Sequence, residues 1–75
     1  MDINKKFSKA ILVLRINNDV KLTQKDVADE ADLSLRFYQD LESCKKRPSL
    51  ETVEKIAHAH SMKLSELCRI IEETD

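Results

Sequence analysis

Apolar residues recur at helical spacing near the start of the chain. Four of them follow the i, i+3, i+4, i+7 pattern: Phe7, Ala10, Ile11 and Leu14. That spacing puts the four side chains on one face, and it predicts an α-helix from about residue 5 to 18. Three further apolar residues widen this face: Val13, Ile16 and Val20. The polar run Asn17-Asn18-Asp19 then ends the helix.

Two short helices are predicted next. Thr23 and Asp26 have the three-residue spacing of a capping box, although Asp is shorter than the usual Glu, and they begin a second helix of about two turns. Ser34 has the position of an N-cap for a third helix, which turns Tyr38 and Leu41 inward. The pattern places two closely linked helices at about residues 23 to 42.

The link between these helices is very short. Only Asp32 and Leu33 lie between them. Such a link forces at least one residue toward left-handed backbone geometry, where Asn and Asp are the best choices after Gly. Asp32 is therefore the predicted turn residue.

Two more helices complete the pattern. Pro48 and Ser49 suit the start of a fourth helix. Its apolar face carries Leu50, Val53, Ile56 and Ala57. Ser65 is predicted to cap a last helix over about residues 65 to 73, in which Leu67, Ile70 and Ile71 are apolar.

The composition supports a small helical bundle. The chain has no Gly, one Pro and 36 % charged residues, which is typical of compact helical proteins. We therefore expect an all-α fold of five helices in one domain over residues 1–75. A chain of this length buries a modest fraction of its surface, so a second copy would supply useful cover.

Charge is divided unevenly along the chain. The net charge is −1, but residues 1–47 hold ten Lys and Arg against eight Asp and Glu, whereas residues 48–75 hold three against six. A partner carrying phosphate would therefore meet the first two-thirds of the chain.

The third helix has the chemistry needed to read DNA. A helix that follows another at a steep angle can project into the major groove, where outward side chains near its N-terminus meet the base edges. With Tyr38 and Leu41 inward, the outward positions are Leu35, Arg36, Gln39 and Asp40. Leu35 suits a thymine methyl, Arg36 a guanine or a phosphate, and Gln39 an adenine. For Asp40 three interpretations stay open: accepting from cytosine, orienting Arg36, or lying in solvent.

Phosphate contacts are predicted around that helix. Gln24 opens the second helix and Ser34 the third, where free N–H groups attract anions. The basic run Lys45, Lys46 and Arg47 follows the third helix, and it is either a set of phosphate contacts or a solvated loop.

The residues from Leu22 to Leu67 resemble the lambda-repressor and Cro type of helix-turn-helix protein, the XRE family. The resemblance covers about two-thirds of the chain and joins several linked elements: Leu22-Thr23-Gln24, Ala28, Leu33-Ser34, Leu41-Glu42, Pro48-Ser49-Leu50 and Leu64-Ser65-Glu66-Leu67. It extends to the restriction-modification controller proteins of similar length. It implies a five-helix domain, sequence-specific binding of double-stranded DNA as a homodimer on a roughly palindromic operator, and control of transcription.

The resemblance also assigns individual residues. Gln24 matches the family's phosphate-contacting Gln, and the four outward residues of the third helix match its variable base-facing positions. Family members of this size usually dimerise through the last helices, which here means Leu64, Leu67, Ile70 and Ile71.

The chain departs from the family pattern at several positions. Asp32, Ser43-Cys44 and Ser61 stand where Gly is usual, and His60 stands where an apolar core residue is usual. An Arg of the first helix commonly pairs with the Glu at position 42. Arg15 could do so only with two extra residues before Leu22, which argues against that pairing.

Other classes of function find little support. Neither histidine has zinc-finger spacing with Cys44 or Cys68, and no nucleophile-base spacing or Gly-rich phosphate loop is present. We expect free thiols, no metal, no cofactor and no catalytic site, and a protein of the cytoplasm rather than the membrane. The alternative is a protein-interaction module on the same fold, such as an antitoxin-like or anti-repressor subunit, whose protein partner docks on Leu35, Phe37 and the apolar tail.

Overall fold

The computed structural model describes residues 1–75 and confirms the predicted all-α, five-helix fold. The helices are α1 (Ile3–Ile16), α2 (Gln24–Glu30), α3 (Leu35–Glu42), α4 (Leu50–Ala59) and α5 (Leu64–Glu73). Helix α1 packs on α3 and α5, α2 packs on α3 and α4, and α4 packs on α5. None of the five has the length and apolar character needed to cross a membrane.

Polar side chains begin four of the helices. Asp2, Thr23, Ser34 and Ser49 are N-caps with extended backbone, and each side chain accepts a backbone N–H from three residues further on. The predicted capping box is confirmed, because the Thr23 hydroxyl accepts from the Asp26 N–H at 3.0 Å and the Asp26 carboxylate accepts from the Thr23 N–H at 2.9 Å. These bonds satisfy donors that the first turn of a helix leaves free.

The last helix begins earlier than predicted. Its N-cap is Lys63, whose N–H donates to the Glu66 carboxylate at 2.9 Å. The prediction that Ser65 caps this helix is wrong, since Ser65 lies within its first turn.

Three residues after helix ends have positive φ: Asp32 at 57°, Cys44 at 61° and Ser61 at 58°. The residue after each of them donates its N–H to a carbonyl five positions back, at 2.8, 2.8 and 2.9 Å. Asp32, Cys44 and Ser61 themselves donate to carbonyls three positions back, which completes a Schellman motif at each site. The prediction for Asp32 is confirmed, and the chain makes all three motifs without a glycine.

The core draws on all five helices. Its largest fully buried side chains are Ile11, Tyr38, Leu41, Ile56 and Leu67. The prediction that four other apolar residues share the buried faces is wrong, because Val13, Ile16, Val20 and Leu50 are 39, 55, 68 and 70 % exposed. In α1 the reason is geometric: at about 100° per residue, Val13 points away from the side that Ile11 buries.

The structure also corrects two of the predicted dimer contacts. Leu67 is fully buried and Ile71 nearly so in the core of the single chain, because α5 packs against α1 and α4 with this face. Leu67 has no surface left to offer a second copy, and Ile71 keeps only 6 % of its surface. Leu64 and Ile70 lie at the edge of the core and are half-buried.

Candidate nucleic-acid interface

Helices α2 and α3 form a tight pair with one exposed polar edge. Tyr38 and Leu41 are fully buried and hold α3 against the core. On its other side, Leu35 is exposed and the Arg36 side chain is 82 % exposed. Gln39 is half-buried beside α2. The structure therefore brings together three of the four predicted base-facing residues.

Asp40 does not share that face. It is only 8 % exposed, so its predicted outward position is wrong. The chain after α3 folds back over this region, with the N–H groups of Lys45 and Lys46 donating to the Asp40 carbonyl at 2.8 and 3.3 Å. The carboxylate lies 3.4 Å from the Arg36 Nε atom. Of the three interpretations of Asp40, this contact favours the one in which it orients Arg36.

Arg15 and Glu42 form a two-pronged ion pair behind the motif. Arg15 Nε donates to Glu42 Oε2 at 2.7 Å and Nη2 donates to Oε1 at 3.0 Å. A third guanidinium nitrogen, Nη1, donates to the Leu22 carbonyl at 3.2 Å. The prediction that Arg15 does not pair with Glu42 is therefore wrong. The two extra residues lie in the loop between α1 and α2, and that loop brings the Leu22 carbonyl back to Arg15.

Glu42 also anchors a chain of side-chain amides. Its Oε1 atom accepts from Gln24 Nε2 at 3.0 Å, and Gln24 Oε1 accepts from Gln39 Nε2 at 3.2 Å. We call Glu42, Gln24 and Gln39 the amide chain. It joins a predicted phosphate-contacting residue directly to a predicted base-facing residue, and the Glu42 carboxylate stands at its inner end.

Burial and hydrogen bonding set the charge states of this cluster. Burial alone would raise the pKa of Glu42, but the hydrogen bonds that reach its carboxylate, chiefly from Arg15, outweigh burial and hold that pKa below its ordinary value. The Arg15 pKa rises in return. Burial, and then the nearby Glu42 carboxylate, raise the pKa of Tyr38. The Tyr38 hydroxyl is buried and makes no hydrogen bond of ordinary geometry.

The predicted basic run lies beside α3. Lys45, Lys46 and Arg47 are all exposed, and none of them forms an ion pair with an acid. The Lys46 ammonium lies 5.9 Å from the centre of the Phe37 ring. The Ser43 hydroxyl donates to the Gln39 carbonyl at 3.0 Å and so links the start of this loop to α3. Three cations are thus available at the end of the exposed edge.

The other residues weighed from the sequence do not form a site. Cys44 and Cys68 are exposed free thiols, and no group of three or more His, Cys, Asp or Glu side chains could hold a metal ion. His60 is half-buried with one unpaired ring nitrogen, Nε2, and burial lowers its pKa.

Sequence reasoning missed the amide chain. Gln24 and Gln39 stand 15 positions apart on different helices, so no helical periodicity connects them. The one feature of the sequence that points to the amide chain is Glu42 at the end of α3, an acid that follows the inward-facing Leu41 and therefore needs donors nearby.

Comparison with known proteins covers the same residues. The family model described as "Helix-turn-helix" matches residues 14–67. That range is more than two-thirds of the chain, and it contains Arg15, the amide chain and the basic run Lys45, Lys46 and Arg47. No curated protein matches the chain.

Proposed function

Because the chain belongs to the lambda-repressor and Cro type of helix-turn-helix family, we propose that it is a dimeric transcriptional regulator that reads a two-fold symmetric operator. The family match supports a DNA-binding regulator in general, and the family is not typically enzymatic. To this we add the dimer, the symmetry of the operator and the roles of individual side chains.

The uncovered outer edge of α3 is the observation that carries the proposal. A major groove admits one α-helix, and α3 keeps Leu35 and Arg36 free on the side opposite its buried face. Leu35 provides an apolar contact for a thymine methyl, and Gln39 suits an adenine edge. Binding would therefore require no rearrangement of the core.

Phosphate contacts would flank that edge. Gln24 is the first residue of α2 and keeps one amide N–H free after donating to Glu42. The Ser34 hydroxyl accepts from the Phe37 N–H, so its own O–H remains free to donate to a phosphate. Lys45, Lys46 and Arg47 would supply charge on the backbone beyond α3.

Asp40 acts through Arg36 in this proposal. Its carboxylate stays out of the groove, where phosphate would repel it, and holds one side of the Arg36 guanidinium. The remaining guanidinium donors then have the fork geometry that guanine O6 and N7 accept.

The dimer surface we propose lies on α4 and α5. Leu64 and Ile70 keep part of their surface free, and Leu50 is 70 % exposed in a shallow groove that Leu64, Glu51 and Glu54 also line. A two-fold axis through this groove would bury the most exposed apolar side chain of α4. The two copies of α3 should then lie roughly 34 Å apart, the spacing of successive major grooves.

Selection from a randomised duplex pool tests the proposal. We expect a two-fold symmetric site to enrich, with an affinity that falls steeply with salt and exceeds that of a scrambled duplex about a thousandfold or more. Replacing Lys45, Lys46 or Arg47 singly with Ala should lower affinity for every duplex alike and reduce the salt slope by about one. The absence of any enriched sequence, with weak binding even at low salt, would contradict the proposal.

A second candidate function rests on another groove, which shares Leu50 with the proposed dimer groove. Ile3, Phe7, Pro48, Leu50 and Val53 line an open apolar groove of about 280 Å³ with Asn4, Cys68 and Ile71. Such a groove, away from α3, suits a protein partner and favours an antitoxin-like or anti-repressor subunit. The double variant Arg36→Ala, Gln39→Ala separates the two functions, since it should abolish operator discrimination but leave partner binding in this groove nearly unchanged.

A further inference from the structure

The ionised carboxylate of Glu42 fixes the direction of the whole amide chain. A carboxylate without a proton can only accept, so Gln24 must turn its NH₂ group toward it. The Gln24 carbonyl then faces Gln39 and requires a donor, which is the Gln39 NH₂ group. One buried acid therefore orients two amides on two helices.

This orientation leaves Gln39 with a defined set of free groups. One of its two N–H bonds is taken by Gln24, so one N–H and the carbonyl oxygen remain. Adenine presents one acceptor and one donor in the major groove, N7 and the N6 amino group, and matches that set. Guanine presents two acceptors, N7 and O6, and would need two free N–H groups.

Arg15 holds the Glu42 carboxylate in place. Its two hydrogen bonds hold both carboxylate oxygens of Glu42, whose side chain is only 5 % exposed. The carboxylate therefore cannot swing away from Gln24 without breaking a buried ion pair. The amide chain is built into the fold before any DNA is bound.

We propose that Glu42 is a positioning residue for base recognition, which acts through Gln24 to commit Gln39 to adenine. This inference rests on the proposed function, since it requires α3 to lie in the major groove. It deepens that function by naming the base that one position of the operator must carry and the residues that enforce it.

Operator selection with variants provides the test. The variant Gln39→Ala first identifies the base pair at which discrimination is lost, and we expect adenine there in the operator chosen by the natural sequence. A two-bond Gln–adenine contact discriminates by roughly 5- to 150-fold. In Glu42→Gln and in Gln24→Met we expect the adenine preference at that base pair to fall about fivefold or more. The preference at the base pair read by Arg36 should change less than about twofold.

Two control variants separate positioning from general damage. Ser8→Ala removes a buried hydrogen bond to the Leu41 carbonyl, outside the amide chain. Lys45→Ala removes a proposed phosphate contact. Both should leave the adenine preference unchanged. Gln24 is half-buried outside the core, so Gln24→Met tests the chain even if Glu42→Gln fails to fold.

The outcomes distinguish the two proposals. If the natural sequence selects an operator but both amide-chain variants keep the full adenine preference, the positioning role of Glu42 is overturned. The proposed function as a transcriptional regulator is then unaffected. The same holds if Gln39→Ala identifies a base other than adenine. If the natural sequence selects no operator, the proposed function fails and the positioning role falls with it.

Discussion

Arg15 and Glu42 stand 27 positions apart in the chain and meet as a two-pronged ion pair, with N–O distances of 2.7 and 3.0 Å. The pair joins the end of α1 to the end of α3. Their side chains are 15 and 5 % exposed, so the charges are largely removed from water. Such a pair contributes less to stability than its Coulomb attraction suggests, but losing one partner leaves the other charge buried alone.

The first prediction concerns the cost of losing one partner of this ion pair. Arg15→Met should lower the free energy of unfolding by about 3 to 5 kcal/mol, because it leaves the Glu42 carboxylate unpaired. The double variant Arg15→Met, Glu42→Met should recover a large part of this loss, because no isolated charge remains. Urea unfolding of both single variants and the double variant measures the coupling. Additive effects of the two substitutions would show that the ion pair does not couple them.

The second prediction concerns pH. The pKa of Glu42 is held below its ordinary value of 4.5 in the folded protein, whereas the unfolded chain keeps the ordinary value. The pair therefore stabilises the fold fully above about pH 4.5, and this contribution is lost as the pH falls through the lower, folded-state pKa. The unfolding free energy should fall more steeply below pH 4.5 in the natural sequence than in Glu42→Gln. Urea unfolding from about pH 7 down to pH 3 tests this, and parallel curves for the two proteins would contradict it.

Local features of the fold could be predicted from the sequence because they depend on neighbours a few positions away. The Thr23–Asp26 capping box and the left-handed Asp32 each follow from the residue type and its place at a helix end. The exposure of Leu50 could not be predicted, because helical spacing puts it on the same stripe as Val53 and Ile56 but does not define how much of that stripe is covered. The cover depends on how the other helices pack on α4.

The candidate site likewise combines residues whose placement the sequence predicts with contacts that it does not predict. Leu35 and Arg36 were placed on the outer face of α3 from periodicity alone. The burial of Asp40 could not be predicted from periodicity, because it depends on how neighbouring segments pack around α3. The pairing of Arg15 with Glu42 could not be predicted either, because no spacing defines the path of the loop before Leu22. Contacts across loops depend on tertiary packing, and they include every bond of the amide chain.

The third prediction concerns the three Schellman motifs. Cys44 and Ser61 have φ values of 61° and 58°. In this left-handed region a residue with a Cβ atom has a conformational free-energy cost of about 1 kcal/mol or more, which Gly avoids because it has no Cβ atom. Cys44→Gly and Ser61→Gly should each raise the free energy of unfolding by about 1 kcal/mol, which corresponds to a rise in Tm of about 4 to 8 °C. The matched control is Ser43→Gly, since Ser43 has a φ of −88° and gains nothing from Gly. A Tm that is unchanged or lower in Cys44→Gly and Ser61→Gly would contradict the prediction.

The fourth prediction compares two buried hydroxyls. The Tyr38 hydroxyl makes no hydrogen bond of ordinary geometry, whereas the Ser8 hydroxyl donates to the Leu41 carbonyl at 2.6 Å. Tyr38→Phe should leave the free energy of unfolding unchanged or raise it, because an unpaired buried polar group is removed. Ser8→Ala should lower it by about 1 kcal/mol. Thermal and urea unfolding measure both, and a larger loss for Tyr38→Phe than for Ser8→Ala would show that the tyrosine hydroxyl is paired in solution.

The last prediction concerns the proposed dimer surface, where an exposed leucine can be changed without disturbing the core. Leu50 is 70 % exposed and is the first residue of α4, a position at which an acid complements the helix dipole. Leu50→Asp should therefore fold normally. If the two-fold axis passes through the groove of Leu50 and Leu64, the charge would be buried against its own copy. The dimer dissociation constant should then rise about tenfold or more. Val20→Asp is the matched control, because Val20 is 68 % exposed on the loop after α1, outside that groove. Sedimentation equilibrium of the natural sequence and both variants measures the dissociation constants. Equal values for Leu50→Asp and Val20→Asp would show that the dimer surface does not include this groove.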